Sequence, residues 1–270
     1  AAVLTWVDVA SGAVRAQLDV GTGFAANPQD YAEHDGRGYL TRYETNTAPG
    51  AEPHDGGGDV LVIDPDAPAI VDRIDLSAAM ADAPGFLPRP GPIVAHAGSL
   101  VTLLAAYDAS FTDTAPSRLA RIDPATGEVT ATHVLAGLHG CSAMAVEAPL
   151  TDTGDLRADP RIAVACTGKF GGDSVPTLAE GGIAVLSADF EELALVPATS
   201  LGEPPGFGIA FDGDRLLVTT LGRYDGSEVV LDQLLAVAAD SSSVSALLTS
   251  ETLPFELGLV RCLGGVTQAA

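Results

Sequence analysis

Four places in the chain put an aromatic residue at the end of a β-rich stretch, and in three of them a basic residue comes just before it. They are Arg42-Tyr43, Ala106-Tyr107, Lys169-Phe170 and Arg223-Tyr224. With 13 basic residues in 270, three at matching positions suggest a shared role. A cation beside a ring offers cation–π and stacking contacts to an anionic, aromatic or saccharide ligand. The same pattern also suits a scaffold, with rings wedged between packed layers and cations paired with Glu44, Asp225 or nearby acids. Gln29 and Asp30, in Asn27-Pro-Gln-Asp30, supply an amide and a carboxylate that could approach a central channel, or could cap a strand entry through backbone hydrogen bonds. Asp55-Gly-Gly-Gly-Asp59 offers two carboxylates and loose backbone carbonyls, which is Ca²⁺ chemistry, although its spacing is not that of an EF-hand loop. Asp55 and Asp59 are therefore the weak metal candidates. His34, His54, His96, His133 and His139 lie far apart, with no pair at metal-ligand spacing. No nucleophile elbow, phosphate loop or zinc-protease motif occurs, so no catalytic residue is assigned.

The elements that must position these residues repeat. A short apolar strand, a tight turn and a second β-rich strand recur five times, with turns opening at Asp8, Asp64, Asp123, Ser187 and Ala238, 51 to 64 residues apart. Self-similarity at such a period marks a repeat architecture. Each repeat reads as four strands. These are 29–35, 38–43, 59–64 and 69–76; then 92–97, 99–107, 118–123 and 129–135; then 141–147, 161–166, 182–186 and 193–197; then 206–211, 215–221, 234–238 and 244–248. Two further strands, 3–9 and 14–20, open the chain, and one, 256–262, lies near its end. Ser77–Ala83 predicts one or two helical turns. Four-stranded units at this period describe an all-β fold, a β-propeller of antiparallel four-stranded blades. The expectation is a single propeller domain over 1–270, cut at both ends from a parent of six or seven blades.

In a propeller the links from second to third strand share a face with those between blades. Here these are the long ones, at 44–58, 108–117, 171–181 and 225–230, and at 21–28, 77–91 and 198–205. Recognition usually lives on long loops held by a rigid scaffold. The four aromatic positions stand at the base of that face.

Cys141 and Cys166 fall on the first two strands of one blade, where cross-strand neighbours lie within disulfide reach. They pair, implying an oxidising compartment, or pack as buried thiols. Cys262 is then left over.

Leu61-Val-Ile-Asp-Pro65 and Ala120-Arg-Ile-Asp-Pro-Ala-Thr-Gly-Glu-Val129 resemble the YncE-like propeller proteins. Asn27-Pro-Gln-Asp30, Tyr39-Leu-Thr-Arg-Tyr43, Asp55-Gly-Gly-Gly-Asp-Val-Leu-Val-Ile-Asp64 and Phe86-Leu-Pro-Arg-Pro90 are similar to secreted, often lipid-anchored propellers of myxobacterial type. The resemblance implies a propeller fold and an envelope location, periplasmic or as an outer-membrane lipoprotein. It carries no catalytic residues over.

A net charge of −23, from 36 acidic against 13 basic residues, argues against nucleic acid and anionic lipid as partners. The chain has no apolar run long enough to span a bilayer. Its first residues are strand-like, with no basic segment ahead of them, so a signal peptide is expected to be absent or already removed. The functional expectation is a non-catalytic binding or scaffolding propeller of the cell envelope. Its partner is an envelope protein or a small anionic or saccharide ligand, with no cofactor beyond a possible Ca²⁺. The alternative is a metal-assisted lactonase- or lyase-like enzyme at the channel mouth.

Overall fold

The computed structural model describes residues 2–148, 159–169, 178–224 and 229–249. The described residues fall into two compact units, divided between Val134 and Leu135.

The first unit holds a two-stranded sheet and two four-stranded sheets. The small sheet pairs β1 (Val3–Val7) with β2 (Val14–Asp19). The next contains β3 (Pro28–His34), β4 (Arg37–Thr45), β5 (Gly57–Asp64) and β6 (Ala69–Asp75) in sequence order, all antiparallel. The third contains β7 (Pro90–His96), β8 (Ser99–Leu104), β9 (Arg118–Ile122) and β10 (Val129–Val134), again consecutive and antiparallel.

The second unit repeats the pattern. One sheet is β11 (Cys141–Val146), β12 (Ile162–Cys166), β13 (Gly182–Leu186) and β14 (Glu192–Pro197), followed by the short helix α1 (Ala198–Leu201). The other joins β15 (Pro205–Asp212), β16 (Arg215–Thr220), β19 (Leu234–Ala238) and β20 (Val244–Leu248). The small ladder of β17 (Arg223–Tyr224) and β18 (Val229–Val230) lies in the loop between β16 and β19. Four antiparallel four-stranded sheets, their strands in chain order and interrupted only by the β17–β18 ladder in the last, are the blades of a β-propeller.

The burial pattern explains why the strands read as they do. β12 and β13 are buried at every residue, so Ile162-Ala-Val-Ala-Cys166 and Gly182-Ile-Ala-Val-Leu186 are continuous apolar runs. The outermost strands alternate instead, as in β14, where Ala194 and Val196 point inward and Glu192, Leu193, Leu195 and Pro197 outward. In the first unit Tyr39, Val60, Ile74, Leu76, Ile93, Leu100, Leu104 and Ile122 form the main apolar cluster. A second cluster packs Leu4, Trp6 and Leu18 of the small sheet against Val20, Leu40, Leu61 and Ile63. In the second unit Ile183, Val185, Val196, Ile209, Leu216, Val218, Leu235 and Val237 do the same work.

Four of the five recurring turns are closed by their opening side chains, Ala238 offering no acceptor. Asp8 Oδ1 accepts from Ser11 N at 2.8 Å, Asp64 Oδ1 from Asp66 N at 3.0 Å, and Asp123 Oδ1 from Ala125 N at 2.8 Å. Ser187 Oγ accepts from Asp189 N and Glu191 N at 3.2 Å. These are Asx and ST turns, and they build scaffold.

The predicted strands match to within a few residues. Ser77–Met80 forms a single 3₁₀ turn where one or two helical turns were expected, while α1 and the β17–β18 ladder were not foreseen. The strand expected at 256–262, together with Cys262, lies outside the described residues. Cys141 and Cys166 are direct cross-strand partners of β11 and β12 and form a disulfide. Their pairing falls beside a register shift in β11.

Candidate functional site

The innermost strands carry bulges, and these decide where several candidate residues go. The registers of β3 and β7 shift between Pro28 and Tyr31 and between Pro90 and Ile93. A bulge takes backbone groups out of the ladder, and buried groups must find other partners. Those of β7 find them on the preceding blade. Thr41 Oγ1 donates to Gly91 O at 2.7 Å, and Asp30 Oδ2 accepts from Ile93 N at 3.0 Å. Asp30 Oδ1 also accepts from Tyr31 N at 2.9 Å. Asp30 is therefore a clamp between two inner strands. Gln29 is exposed, and its Nε2 donates to Asn27 Oδ1 at 3.0 Å.

Arg42 is turned inward. Its side chain is wholly buried, because β4 places it under the loop at 21–24. Nε donates to Asp59 Oδ1 at 2.8 Å and Nη2 to Asp59 Oδ2 at 2.7 Å. Nη1 donates to Val20 O at 3.2 Å and Thr22 Oγ1 at 2.6 Å, and Nη2 also reaches His54 O at 2.5 Å. Phe24 lies across the guanidinium at 5.2 Å. This arginine ties the 44–58 loop and the 20–24 loop to the blade.

Asp59 and Asp55 are committed in the same way. Asp59 is fully buried and shares its oxygens between Arg42 and Arg73 Nε. Asp55 accepts from Gly50 N, Ala51 N and Glu52 N at 2.9 to 3.1 Å, and these backbone bonds hold its carboxyl below the ordinary aspartate range. The Asp-Gly-Gly-Gly-Asp segment thus runs from the loop into β5 with both carboxylates engaged. Among the described residues no group of three or more His, Cys, Asp or Glu is arranged to hold a metal ion.

Tyr43 and Tyr107, by contrast, converge. Both approach Phe111, from the 108–117 loop, with ring centroids 6.2 Å from Tyr43 and 5.8 Å from Tyr107. The Tyr43 and Phe111 planes are nearly parallel, at 7°. Arg89 lies over two of these rings, with Cζ 3.9 Å from the Phe111 centroid and 5.4 Å from that of Tyr43. The Arg89 side chain is 2% exposed and paired through Nη1 with Glu44 Oε2, and Nη2 reaches Asp108 O at 3.4 Å. Phe111 remains 48% exposed. Burial first, then the nearby Tyr107, push the Tyr43 hydroxyl well above the ordinary tyrosine value despite Arg89, and burial raises Tyr107. Both phenols are neutral at physiological pH.

The loop that carries Phe111 is locked by its own first residue. Asp108 accepts from Ser110 Oγ, Thr112 N and Thr112 Oγ1, each at 2.8 Å. Burial pulls this carboxyl upward, but the hydrogen bonds outweigh it and leave it at about 2. Segment 87–89 is held against 105–107 by backbone bonds from Leu87 N to Tyr107 O, Ala106 N to Pro88 O and Ala105 N to Arg89 O. Arg89 and Phe111 both have positive φ, 51° and 58°, a conformation rarely adopted by residues with side chains.

Beside this cluster the same loops form a groove of about 500 Å³. Its walls include Pro49, Met80 and Phe86, and polar atoms come from Thr45, Arg73 and Asp75.

The expected cation–aromatic pair is therefore present with a different cation. Arg89, Phe111 and the pairing of Arg89 with Glu44 were missed, because no repeat marks position 89. The available signal was Phe86-Leu-Pro-Arg-Pro90, an arginine held between two prolines on the long-loop face. Lys169 follows β12, and Phe170 lies outside the described residues. Arg223 and Tyr224 form β17, and their side chains lie outside the described part.

No family model matches the chain, and no curated protein matches it. Among solved structures it is similar to an exo-β-1,3-galactanase from Phanerochaete chrysosporium with β-1,3-galactotriose, at 9% identity over 91% of this chain and 52% of that one, with a TM-score of 0.46. It is similar to the GH43_1 enzyme from Xanthomonas citri complexed with xylose, at 14% identity over 82% and 73% of the two chains, TM-score 0.41. It is also similar to AztD from Citrobacter koseri, at 14% identity over 94% and 57%, TM-score 0.42. The chain thus spans about half the length of the galactanase. At these values the likeness assigns no substrate and no partner to this chain.

Proposed function

We propose that the chain is a non-catalytic binding propeller of an extracytoplasmic compartment, akin to the YncE-like proteins, and that it takes its ligand on the long-loop face of its first unit. The observation that carries this reading is the gathering of Tyr43 and Tyr107 on Phe111 from separate segments, with Arg89 over Phe111 and Tyr43 and with Phe111 left half-exposed. Arg89 is neutralised by Glu44, so the cluster offers a supported π surface and no spare charge. Such a surface suits stacking against a sugar or another ring better than capture of a bare anion. The Cys141–Cys166 disulfide supports the compartment, since such bonds persist where the milieu is oxidising. An envelope protein bearing an exposed glycan or aromatic residue would meet the same surface.

The test is a binding screen of sugars and peptidoglycan fragments against the wild type and Phe111→Ala, read by saturation-transfer NMR. Phe111 is exposed, so its truncation spares the core, and binding lost in that variant supports the reading. Binding that ignores Phe111→Ala overturns it, and so does turnover of a lactone by the metal-supplemented protein with no ligand retained at this face.

A further inference from the structure

We infer that the groove beside the aromatic cluster is a binding site for a neutral saccharide, with Thr45, Arg73 and Asp75 as its hydrogen-bonding residues and Phe86 as its apolar wall. This rests on the proposed binding role of the long-loop face and gives it a second, chemically distinct subsite. The groove and the cluster are continuous along the chain: Tyr43 belongs to the cluster and Thr45 to the groove, while Phe86 and Pro88 line the groove and Arg89 fills the cluster.

Three observations carry the inference. The first is size and lining. At about 500 Å³ the groove is within the range of small-molecule sites, and Pro49, Met80, Pro84, Phe86 and Pro88 give it an apolar side.

The second is an unmet polar group. Thr45 Oγ1 is buried and has no hydrogen-bond partner, a condition that costs stability unless something supplies the bond. Opposite it the chain has glycine. A Cβ on Gly58 would come within 2.5 Å of Thr45 Oγ1, and Gly58 has a φ of +58°. Gly58 thus packs directly against the hydroxyl, at a position where no larger residue fits.

The third is the polar corner. Arg73 donates through Nε to Asp59 and through Nη2 to Gly57 O at 3.3 Å, which fixes the plane of its guanidinium. It lies flat on Gly56, where a Cβ would meet Cζ at 2.6 Å. Asp75, whose side chain is 59% exposed, is 3.9 Å from Arg73 and accepts from Ser77 N through Oδ1 at 2.9 Å.

A fixed guanidinium donor, a carboxylate acceptor at the rim and a hydroxyl able to do both, facing an apolar wall, match one ligand chemistry well. A pyranose has an apolar C–H face and a girdle of hydroxyls that donate and accept. An anion fits less well, because Asp75 stands at the rim, Arg73 already serves Asp59, and the chain carries a charge of −23.

The experiment measures binding of methyl β-galactoside and methyl β-xyloside to the intact chain by calorimetry and saturation-transfer NMR, with glucuronate as the anionic counterpart. Thr45→Val and Asp75→Asn are compared with Phe111→Ala. Thr45→Val removes an unpaired buried hydroxyl and keeps the shape, so it folds at least as well as the wild type. It is expected to weaken neutral-glycoside binding roughly fivefold, the worth of one hydrogen bond, with a similar loss in Asp75→Asn. Binding that is weakened by Phe111→Ala but unchanged in both groove variants overturns the groove site and leaves the cluster reading standing. Preference for glucuronate overturns the neutral class. If none of the three probes binds, the inference as stated is overturned.

Discussion

Replacing Arg42 with methionine tests whether the loop-bearing face is held from beneath by a buried ion pair. The side chain is wholly enclosed and donates five hydrogen bonds, two of them to Asp59. Methionine fills much of the volume but leaves Val20 O and His54 O without these donors, and it leaves Asp59 with Arg73 alone. Removing one partner of a buried pair costs about 3–5 kcal/mol, and the retained Arg73 places the expected loss near ~3 kcal/mol. With a urea dependence of about 2 kcal/mol per molar, the unfolding midpoint falls by roughly 1.5 M. Trp6 is the sole tryptophan and packs in the first unit beside Val20, Leu40 and Leu61, so its fluorescence reports this unit directly. A midpoint shift under about 0.5 M would refute the reasoning, since it would mean the guanidinium is solvated and replaceable. A loss of ligand binding at unchanged stability would refute it as well, by restoring Arg42 to the recognition surface.

Acid is expected to destabilise the first unit from about pH 4 down to about pH 2. Asp108 has a folded pKa of about 2, and Asp8, Asp55, Asp64 and Asp82 are also held below the ordinary value, so their stabilisation is present above the unfolded value of about 3.9 and is lost as pH falls. Asp108→Asn should flatten the lower part of that profile, measured by Trp6 fluorescence, and an unchanged slope counts against the loop lock. At alkaline pH Tyr43 and Tyr107 stay protonated in the folded protein while an unfolded tyrosine ionises near 10, so stability declines above about pH 10. Native absorbance titration should show these phenols delayed, Tyr31 likewise being pushed up to about 12. The Cys141–Cys166 bond closes a separation of 25 residues, for which a chain-entropy estimate gives about 3.5 kcal/mol. Cys166→Ser should therefore unfold the second unit earlier by circular dichroism, and a thiol assay of the unreduced wild type should find at most one thiol per chain.

Much of the scaffold was legible in the sequence because its causes are local. Asp8, Asp64 and Asp123 close their turns with their own carboxylates, so the turn chemistry shows in the residue types. β12 and β13 are apolar at every position because both faces are covered, and outer strands such as β14 alternate because one face meets water. Cross-strand neighbourhood likewise made the Cys141–Cys166 pair a readable possibility.

The long-loop face was less legible. Repetition placed Tyr43 and Tyr107 correctly at the base of the long loops, and it suggested that Arg42 would join them. Arg42 and Tyr43 are adjacent on a strand, however, and successive side chains leave opposite faces. One goes down to Asp59 and the other up to Phe111. Asp30 was equally ambiguous until the bulge in β7 exposed the Ile93 amide that it satisfies.

The sequence by itself determined the strands, the turns and the four-stranded repeat, because alternation and turn propensity act within a few residues. Only the tertiary structure decided that Arg89 is the cation among the rings, that Glu44 neutralises it, and that Thr45 Oγ1 lies buried without a partner. Those facts depend on how loops from different blades cross above the sheets, and no short-range pattern encodes that path.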